Sequence, residues 1–203
     1  MVFLHLVLAG GSSIAESNLV DAVRSGSLAN VRELLSAGTA VDQRVDRFTP
    51  LGLAATRGDL SMVDLLLDEG ADPNAVSLNG ANSLSMAVRS CRATAELIRR
   101  LIDAGADLEN RSGVGITPLQ FAVQEERTEL ALQLIDAGAD INTLNPYGEG
   151  VLNYAIYTRN NRLIRRVLEL GVNTDQLVKL FTTVDYDPPG MGDAQAHHSV
   201  LCG

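Results

Sequence analysis

Apolar and polar positions along the chain repeat with a period close to 33 residues. In each period a leucine begins one apolar helical stretch, and a second stretch ends at a glycine 19 residues later, or 21 residues later in the third period. This repeat predicts five helix-turn-helix units in one register, with a two-residue insertion within residues 89–95. The leucines are Leu19, Leu51, Leu84, Leu119 and Leu152, and the glycines are Gly38, Gly70, Gly105, Gly138 and Gly171.

The second unit illustrates how each period specifies two helices. Thr49 precedes Pro50, which is the order expected of a helix N-cap followed by proline at the first helical position. Gly58 and Asp59 are expected to end the first helix and begin the second, and Gly70 to end that second helix in the left-handed conformation. Because a single helix pair leaves apolar surface uncovered, the units must stack, and the sequence predicts an all-α solenoid.

Two short motifs recur at the starts and ends of the units: Thr-Pro-Leu at 49–51 and 117–119, and Gly-Ala-Asp at 70–72, 105–107 and 138–140. These motifs closely resemble those of the ankyrin-repeat family. The resemblance covers most of the chain and implies a solenoid of about five helix-turn-helix repeats with short hairpin loops. It also implies a non-enzymatic module that binds another protein.

The sequence departs from the ankyrin pattern at the position after Thr-Pro-Leu, where the family usually has histidine. That histidine makes a polar contact between neighbouring loops, so we expect the contact to be supplied by other side chains or lost. The first hairpin also lacks its usual glycine and has Arg-Phe at residues 47–48. The residues in place of histidine are Gly52, Ser85, Gln120 and Asn153.

The period divides the chain into an apolar N-terminal segment (1–16), an ankyrin-repeat domain (17–176), and a C-terminal cap with a flexible tail (177–203). We expect the N-terminal segment to cover the end of the stack. It also resembles a short secretory signal, which would make the protein a periplasmic or secreted ankyrin protein with a protective or immunity-type role. The repeats are predicted at about 17–47, 48–80, 81–115, 116–148 and 149–176.

Composition and charge narrow the range of partners. Hydrophobic residues make up 46% of the 203 residues, which allows a sizeable core. The formal net charge of −9 would repel a phosphate backbone on average, so we expect no nucleic acid partner. No apolar run approaches the ~20 residues that span a bilayer, so we expect no membrane partner. The chain is expected to be a monomer that binds another protein.

Residues suited to catalysis or metal binding are few. The sequence has neither a His-Glu-x-x-His nor a Cys-x-x-Cys motif, and we expect no catalytic residues, metal or cofactor. Because Cys91 and Cys202 are far apart in the sequence, we interpret them as separate thiols in a reducing compartment, and the protein as cytoplasmic. The alternative is a small thiol-dependent enzyme that uses Cys91, or His197 and His198 together with Cys202.

The resemblance also implies where a partner binds. Ankyrin proteins typically use a concave surface made of the hairpin tips and the exposed faces of the first helices, where aromatic and arginine side chains are suited to interfaces. We expect Tyr147 and Tyr157 to be exposed, whereas Phe48 and Ile116 are equally consistent with packing inside the stack. The residues assigned to this surface are Arg47, Phe48, Arg57, Leu78, Asn79, Arg89, Val114, Ile116, Gln124, Tyr147, Glu149 and Tyr157.

Overall fold

The computed structural model describes residues 18–175, and this part of the chain contains ten α-helices arranged as five consecutive pairs. The pairs confirm the predicted all-α solenoid of helix-turn-helix repeats. The predicted N-terminal segment and C-terminal tail lie outside the described residues. The helices are α1 (Leu19–Ser25), α2 (Leu28–Ser36), α3 (Pro50–Arg57), α4 (Leu60–Asp68), α5 (Ser83–Val88), α6 (Ala95–Asp103), α7 (Pro118–Gln124), α8 (Thr128–Asp136), α9 (Val151–Tyr157) and α10 (Asn161–Glu169).

The odd-numbered helices form one layer of the solenoid and the even-numbered helices form the other. In the first layer α3 packs against α1 and α5, and α7 packs against α5 and α9; in the second, α4 packs against α6 and α8 against α10. The five leucines that mark the sequence period all lie in the first layer and are buried. The period is therefore the repeat of core positions, because each unit buries its leucine against its neighbours.

Caps fix the helix ends where the sequence predicts them. The Thr49 hydroxyl accepts a hydrogen bond from the Gly52 amide at 3.1 Å, with Pro50 at the start of α3. Gly58 and Gly70 have φ angles of 70° and 85°, in the left-handed region that favours glycine. Asp59 then caps α4. The predicted helix caps of the second unit are confirmed.

The third unit contains the two-residue insertion. Helices α5 and α6 begin 12 residues apart, whereas the paired helices of the second, fourth and fifth units begin 10 residues apart. Residues 89–94, which we call the insertion loop, connect the two helices and are held against both neighbouring units. The Ser90 hydroxyl donates to the Thr56 carbonyl at 2.6 Å. From the other side, the Arg127 guanidinium donates to the carbonyls of Val88 (2.6 Å), Ser90 (2.7 Å) and Ala93 (3.3 Å).

The hairpins between units turn through a left-handed residue. In the later hairpins this residue is Gly80, Gly115 or Gly148, with φ between 74° and 81°. The first hairpin has no glycine, and Asp46 adopts a φ of 56° instead. Aspartate is one of the few other residue types that adopt this conformation readily, because its short polar side chain bonds locally. The first hairpin therefore turns without the glycine that the family usually has at this position.

A ladder of hydrogen bonds joins successive units beneath the hairpins. In each step, a side-chain oxygen of one unit accepts the backbone N–H of the residue that follows the helix-ending Gly-Ala or Gly-Val of the next. The distances are between 2.7 and 3.1 Å. Each step satisfies a backbone donor across an inter-unit boundary, which stabilises the stacking. The acceptors are Asp42, Asn74, Glu109 and Asn142, and the donors are Asp72, Asp107, Asp140 and Asn173.

In the first step of this ladder the acceptor is a carboxylate, Asp42, whose negative charge is destabilised in the folded protein. Burial raises the pKa of Asp42, and repulsion from Asp72 adds to this shift, while the hydrogen bond from the Asp72 amide opposes it. The substitution Asp42→Asn keeps an acceptor oxygen, as Asn74 and Asn142 do in later steps, and removes the charge. We expect it to increase the free energy of unfolding at pH 7 by up to about 0.5 kcal/mol.

The difference in free energy of unfolding between Asp42→Asn and wild type is expected to depend on pH. Because the folded state binds the Asp42 proton more tightly than the unfolded state, wild-type stability contributed by this group falls as pH rises through its raised pKa. The advantage of Asp42→Asn should therefore shrink as pH is lowered from neutral towards 3.8, the ordinary value for aspartate. Urea unfolding of both proteins across this range measures it. A wild type that is the more stable protein at pH 7 would contradict the expectation.

Candidate partner-binding surface

Three successive hairpins each present a large apolar side chain that is more than half exposed. Leu78 is 63% exposed, Val114 59% and Tyr147 69%. We call these three the tip residues. The hairpins contact one another in sequence. The Leu78 amide donates to the Arg47 carbonyl (3.1 Å), the Asn110 side-chain amide to the Gly80 carbonyl (3.1 Å), and the Arg111 guanidinium to the Leu144 carbonyl (3.0 Å). The tip residues therefore lie along one continuous edge of the solenoid.

Asparagine side chains close the loops that expose Leu78 and Tyr147. The Asn79 amide oxygen accepts from the Ser77 hydroxyl at 2.8 Å and from the Ala81 amide at 3.3 Å, which closes its turn. In the fourth hairpin Asn145 accepts from the amides of Tyr147 and Glu149, each at 2.9 Å. Because asparagine closes these two turns, the Leu78 and Tyr147 side chains have no part in closing their loops.

Behind the first tips, a groove of about 400 Å³ runs between the second and third units. Phe48 and Met86 give it an apolar floor, and arginines border it. We call it the inter-unit groove. A smaller cavity of about 280 Å³ adjoins it and includes Arg47 and Leu78, so six of the predicted surface residues line the two cavities. The groove is lined by Phe48, Thr56, Arg57, Asn79, Met86, Arg89, Ser90 and Arg92.

The groove owes its floor to a glycine at one of the positions where the family usually has histidine. A Cβ atom at Gly52 would lie 2.7 Å from the Met86 sulfur. Any side chain at this position would therefore displace Met86 from the groove. The sequence pattern marks Gly52 as a departure from the family, but the residue that fills the space comes from the next unit, which is why Met86 was missed.

Arg57 and Arg89, which line the groove, differ in the contacts that their guanidinium groups make. The Arg57 Nε atom is buried and has no hydrogen-bond partner among residues 18–175. The Arg89 guanidinium lies 4.9 Å above the centre of the Phe121 ring, in a cation–π arrangement. Burial lowers the pKa of Arg89, and the Glu125 charge opposes this shift. Arginine remains charged at neutral pH even when its pKa is lowered, so the groove presents positive charge.

Three of the predicted surface residues are half-buried: Phe48, Ile116 and Gln124. Phe48 packs against the core while one side of its ring faces the groove. Ile116 lines a narrow crevice with Arg89 and Phe121. Gln124, at the end of α7, is likewise neither fully buried nor fully exposed.

The expected exposure of Tyr157 and Glu149 is wrong. Glu149 is only 6% exposed; the Asn145 amide donates to one of its oxygens at 2.9 Å and the Tyr157 hydroxyl to the other at 3.4 Å. Tyr157 is half-buried, and its ring meets Tyr154 edge to face at 6.5 Å between centroids. A buried carboxylate needs such donors, so these residues form an internal polar cluster rather than a surface.

Tyr154 completes this internal cluster and was not predicted. The Asn145 amide donates to its hydroxyl at 2.7 Å. Burial raises the pKa of Tyr154 to about 12, and the nearby Glu149 charge adds to the shift. A signal was present in the sequence, because Tyr154 and Tyr157 are three residues apart and therefore lie on one face of α9. The cluster fixes the fourth hairpin, which holds Tyr147 in place.

The polar contact of the missing family histidines is supplied at two of the four positions. The Gln120 amide donates across the inter-unit boundary to the Thr143 carbonyl at 2.8 Å. The Ser85 hydroxyl donates to the Asn110 side-chain oxygen at 2.9 Å. Asn153 instead accepts from the Gly150 amide of its own unit. The loop-to-loop contact is therefore retained from the third unit to the fifth, whereas Gly52, beside the inter-unit groove, has no side chain to supply it.

Cys91 is disulfide-bonded, and no cysteine of the described residues is free. The interpretation of two separate thiols is therefore wrong, and a catalytic Cys91 thiolate is contradicted, because the sulfur is not available as a thiol. Distance along the sequence does not limit pairing; only the approach of the two sulfur atoms does. The argument for a reducing compartment, which relied on separate thiols, loses its basis. His197, His198 and Cys202 lie outside the described residues.

The second-helix layer presents charges that are largely paired. Arg100 contacts Asp64 and Asp68 on the neighbouring unit, at 2.7 and 3.1 Å. Arg162 forms an ion pair with Glu129. Within residues 18–175 no cluster of three or more His, Cys, Asp or Glu side chains is placed to hold a metal ion, and no helix there has the length and apolarity to cross a membrane.

Comparison with known families agrees with this geometry. A profile for ankyrin repeats in three copies matches residues 19–112 and again 84–177, which together span most of the chain. The chain belongs to the ankyrin-repeat family. Ankyrin repeats are generally protein-interaction modules, and the family is typically non-enzymatic.

Several known proteins share these repeats. The chain is 39% identical over 97 residues to an ankyrin repeat-containing protein of Treponema pallidum (strain Nichols), across 46% of this chain and 32% of the relative. It is 37% identical over 114 residues to the Homo sapiens ankyrin repeat and SOCS box protein 3, across 40% and 22%. It is 29% identical over 118 residues to the Caenorhabditis elegans BRCA1-associated RING domain protein 1, across 58% and 16%. The chain spans less than a third of the length of each of these relatives.

Proposed function

We propose that this protein is a non-enzymatic binding module that holds a partner protein along the edge formed by its hairpin tips and the adjoining inter-unit groove. The observation that carries the proposal is the row of tip residues, each more than half exposed. Asn79 and Asn145, rather than Leu78 and Tyr147, close the loops of these two tips. Burial of such a side chain contributes about 1 to 2 kcal/mol, so three in a row supply much of the energy of a specific interface.

The layer of second helices on the other side of the solenoid is less suited to binding, which supports the proposed edge. Arginines of this layer already contact carboxylates of neighbouring units, as Arg100 does with Asp64 and Arg166 with Asp136. A partner on that face would have to replace these ion pairs and remove charged groups from water, which gives little net energy. On the hairpin edge, in contrast, the three tip side chains are apolar, and the Arg57 Nε atom of the adjoining groove has no hydrogen-bond partner among residues 18–175. That edge therefore favours binding.

Partner capture by a tip variant tests the proposal. We expect the triple substitution Leu78→Ser, Val114→Ser and Tyr147→Ser to weaken capture of the partner from an extract of the source organism by at least about 10-fold. The proteins retained by the wild-type chain and by the variant are compared by quantitative mass spectrometry. Because the three side chains are exposed, the variant should unfold within a few degrees of wild type.

A matched control uses an apolar side chain away from the tips. Leu168 on α10 is 48% exposed, and Leu168→Ser removes a similar apolar area from the second-helix layer. We expect its capture to match that of wild type. A tip variant that retains the same proteins in the same amounts as wild type would contradict the proposed binding edge.

A second candidate places the same binding activity in an oxidising compartment such as the periplasm, in a protective or immunity-type role, rather than in the cytoplasm. The disulfide at Cys91 favours it, because disulfides persist mainly in such compartments. N-terminal sequencing of the protein from its source organism separates the two. A mature chain that begins near Glu16 supports the oxidising compartment, and a chain that retains residues 1–15 supports the cytoplasm.

A further inference from the structure

The inter-unit groove carries positive charge in a protein whose overall charge is negative. The chain has 25 acidic and 16 basic residues, which gives the formal net charge of −9. Among the described residues that line the groove and its adjoining cavity there are four arginines and no aspartate or glutamate. A cleft lined by one sign of charge concentrates ions of the other sign, so the groove favours an anion. The four arginines are Arg47, Arg57, Arg89 and Arg92.

The floor of the groove is apolar, so the anion that fits it best is attached to an apolar group. Phe48 and Met86 form this floor, and Leu78 lines the adjoining cavity. The volume of about 400 Å³ is in the range of sites that enclose a small ligand. An inorganic anion would pair with the arginines but leave the floor in contact with water. A carboxylate beside a large apolar side chain matches both the arginines and the floor.

We propose that the inter-unit groove binds an acidic segment of the partner protein, in which an aspartate or glutamate stands next to an aromatic or large aliphatic residue. The carboxylate pairs with Arg57 and Arg89. The neighbouring apolar side chain packs on Phe48 and Met86. The assignment of this segment to a partner protein rests on the proposed function, whereas the chemical preference of the groove can be measured without a partner.

The Arg57 side chain supports a carboxylate as the anion. Its Nε–H group is buried and has no hydrogen-bond partner among residues 18–175. A buried donor without an acceptor is unfavourable, most of all when it belongs to a charged group. A carboxylate accepts two parallel hydrogen bonds from one edge of a guanidinium group, and one such edge contains the Nε–H. A carboxylate that binds this edge therefore completes the hydrogen bonding of Arg57.

The Arg89 side chain is already held in place for this role. Its guanidinium group lies 4.9 Å above the centre of the Phe121 ring, which belongs to α7 of the next unit. The Glu125 charge acts on Arg89, but Glu125 is not among the residues that line the groove. Stacking uses the face of a guanidinium group, while its N–H groups point outward in the plane. Because the stacked side chain is ordered beforehand, pairing with a carboxylate costs little side-chain entropy.

Titration of the full-length protein with two capped dipeptides tests the charge requirement. The probes are acetyl-Glu-Phe-amide and acetyl-Gln-Phe-amide, which are nearly equal in size and differ in charge. We expect the glutamate probe to bind at least about 5-fold more tightly, because only this probe offers the arginines a carboxylate. Binding is followed by NMR on isotope-labelled protein. Equal affinities for the two probes, or no binding of the glutamate probe, would overturn the proposal.

The same NMR spectra locate the bound probe. We expect the Nε–H resonance of Arg57 to shift because the group gains an acceptor, and the amide resonances of Thr56 and Ser90 to shift because both residues line the groove. The Arg57 resonance is assigned by its loss in Arg57→Gln. Shifts confined to the second-helix layer would place the probe elsewhere and refute the groove as its site.

Two further probes test the apolar requirement. Acetyl-Glu-Gly-amide keeps the carboxylate and lacks the aromatic ring, so we expect it to bind at least about 3-fold more weakly than the glutamate-phenylalanine probe. Inorganic phosphate, which has no apolar part, should also bind more weakly than that probe. Phosphate that binds as tightly as acetyl-Glu-Phe-amide would show that the groove is a phosphate site, and the proposed acidic segment would be wrong.

Removal of single arginines tests the proposed ion pairs. We expect Arg57→Gln and Arg92→Gln each to reduce the preference for the glutamate probe over the glutamine probe by at least about 2-fold. Affinity for the glutamine probe should stay close to the wild-type value, since the floor is unchanged. Arg92 is exposed, so its substitution should not unfold the chain. Arg165→Gln, at an exposed position on α10, is the matched control and should alter neither affinity. Variants that keep the full wild-type preference would count against the ion pairs.

These measurements and the capture experiment can fail separately. If the probes discriminate as expected but the tip variant retains the same captured proteins as wild type, the groove prefers acidic segments and the proposed binding edge is wrong. If the tip variant loses its captured proteins but the probes bind equally, the proposed function stands and the acidic segment is wrong.

Discussion

Replacement of Arg127 by methionine is expected to lower the free energy of unfolding by about 3 kcal/mol. Its guanidinium donates to three backbone carbonyls around the insertion loop, of Val88, Ser90 and Ala93. Burial lowers the pKa of Arg127, which is consistent with a charged group held away from water. Methionine preserves much of the side chain's apolar stem but leaves the three carbonyls without their common donor.

Urea unfolding of matched variants measures this effect. Arg127→Lys keeps the charge but cannot reach three divergent carbonyls, so it should recover less than half of the loss. Arg162→Met is the control: Arg162 is exposed and pairs only with Glu129, and we expect a loss below about 0.5 kcal/mol. If Arg127→Met is no more destabilising than Arg162→Met, the insertion loop is not held by this side chain.

The substitution Gly58→Ala is also expected to destabilise the fold by about 3 kcal/mol. Gly58 has a φ of 70°, and an alanine there incurs about 1 to 2 kcal/mol for the left-handed conformation alone. Its Cβ would also lie 2.5 Å from the Arg92 carbonyl oxygen, so the insertion loop must move. The clash is with backbone rather than with a flexible side chain, which makes relief costly.

Gly70→Ala provides the comparison that isolates the clash. Gly70 has a similar φ of 85°, and a Cβ there has no atom within 4 Å. We expect it to lose only the conformational contribution of about 1 to 2 kcal/mol. Thermal or urea unfolding of the two variants gives the difference directly. Equal losses would mean that the insertion loop does not rest on Gly58.

Much of the fold could be predicted from the sequence because each unit uses the same local features to form and pack its two helices. The threonine caps, the glycines at helix ends and the buried leucines need only the neighbouring residues to define their roles, so the period places them correctly. The insertion is also located from spacing alone. What spacing does not give is the docking of the inserted residues, since that depends on Arg127 in the next unit and Gly58 in the previous one.

The candidate surface was harder to predict for a related reason. Leu78, Val114 and Tyr147 are exposed as their loop positions suggest, but Glu149 is only two residues from Tyr147 and points inward. Its direction is decided by the donors that meet it, Asn145 and Tyr157, and not by its register. The Cys91 disulfide was missed likewise, because the path of a chain in space determines pairing and the pattern of residues does not.

The insertion loop has a consequence for how the solenoid unfolds. In a simple linear array each unit couples only to its immediate neighbours, so melting can begin at either end and proceed stepwise. Here one short segment of the third unit bonds the second through Ser90 and the fourth through Arg127. The hydrogen bonds of the insertion loop therefore join three consecutive units. We expect these units to unfold together as one cooperative block, after the terminal units have unfolded.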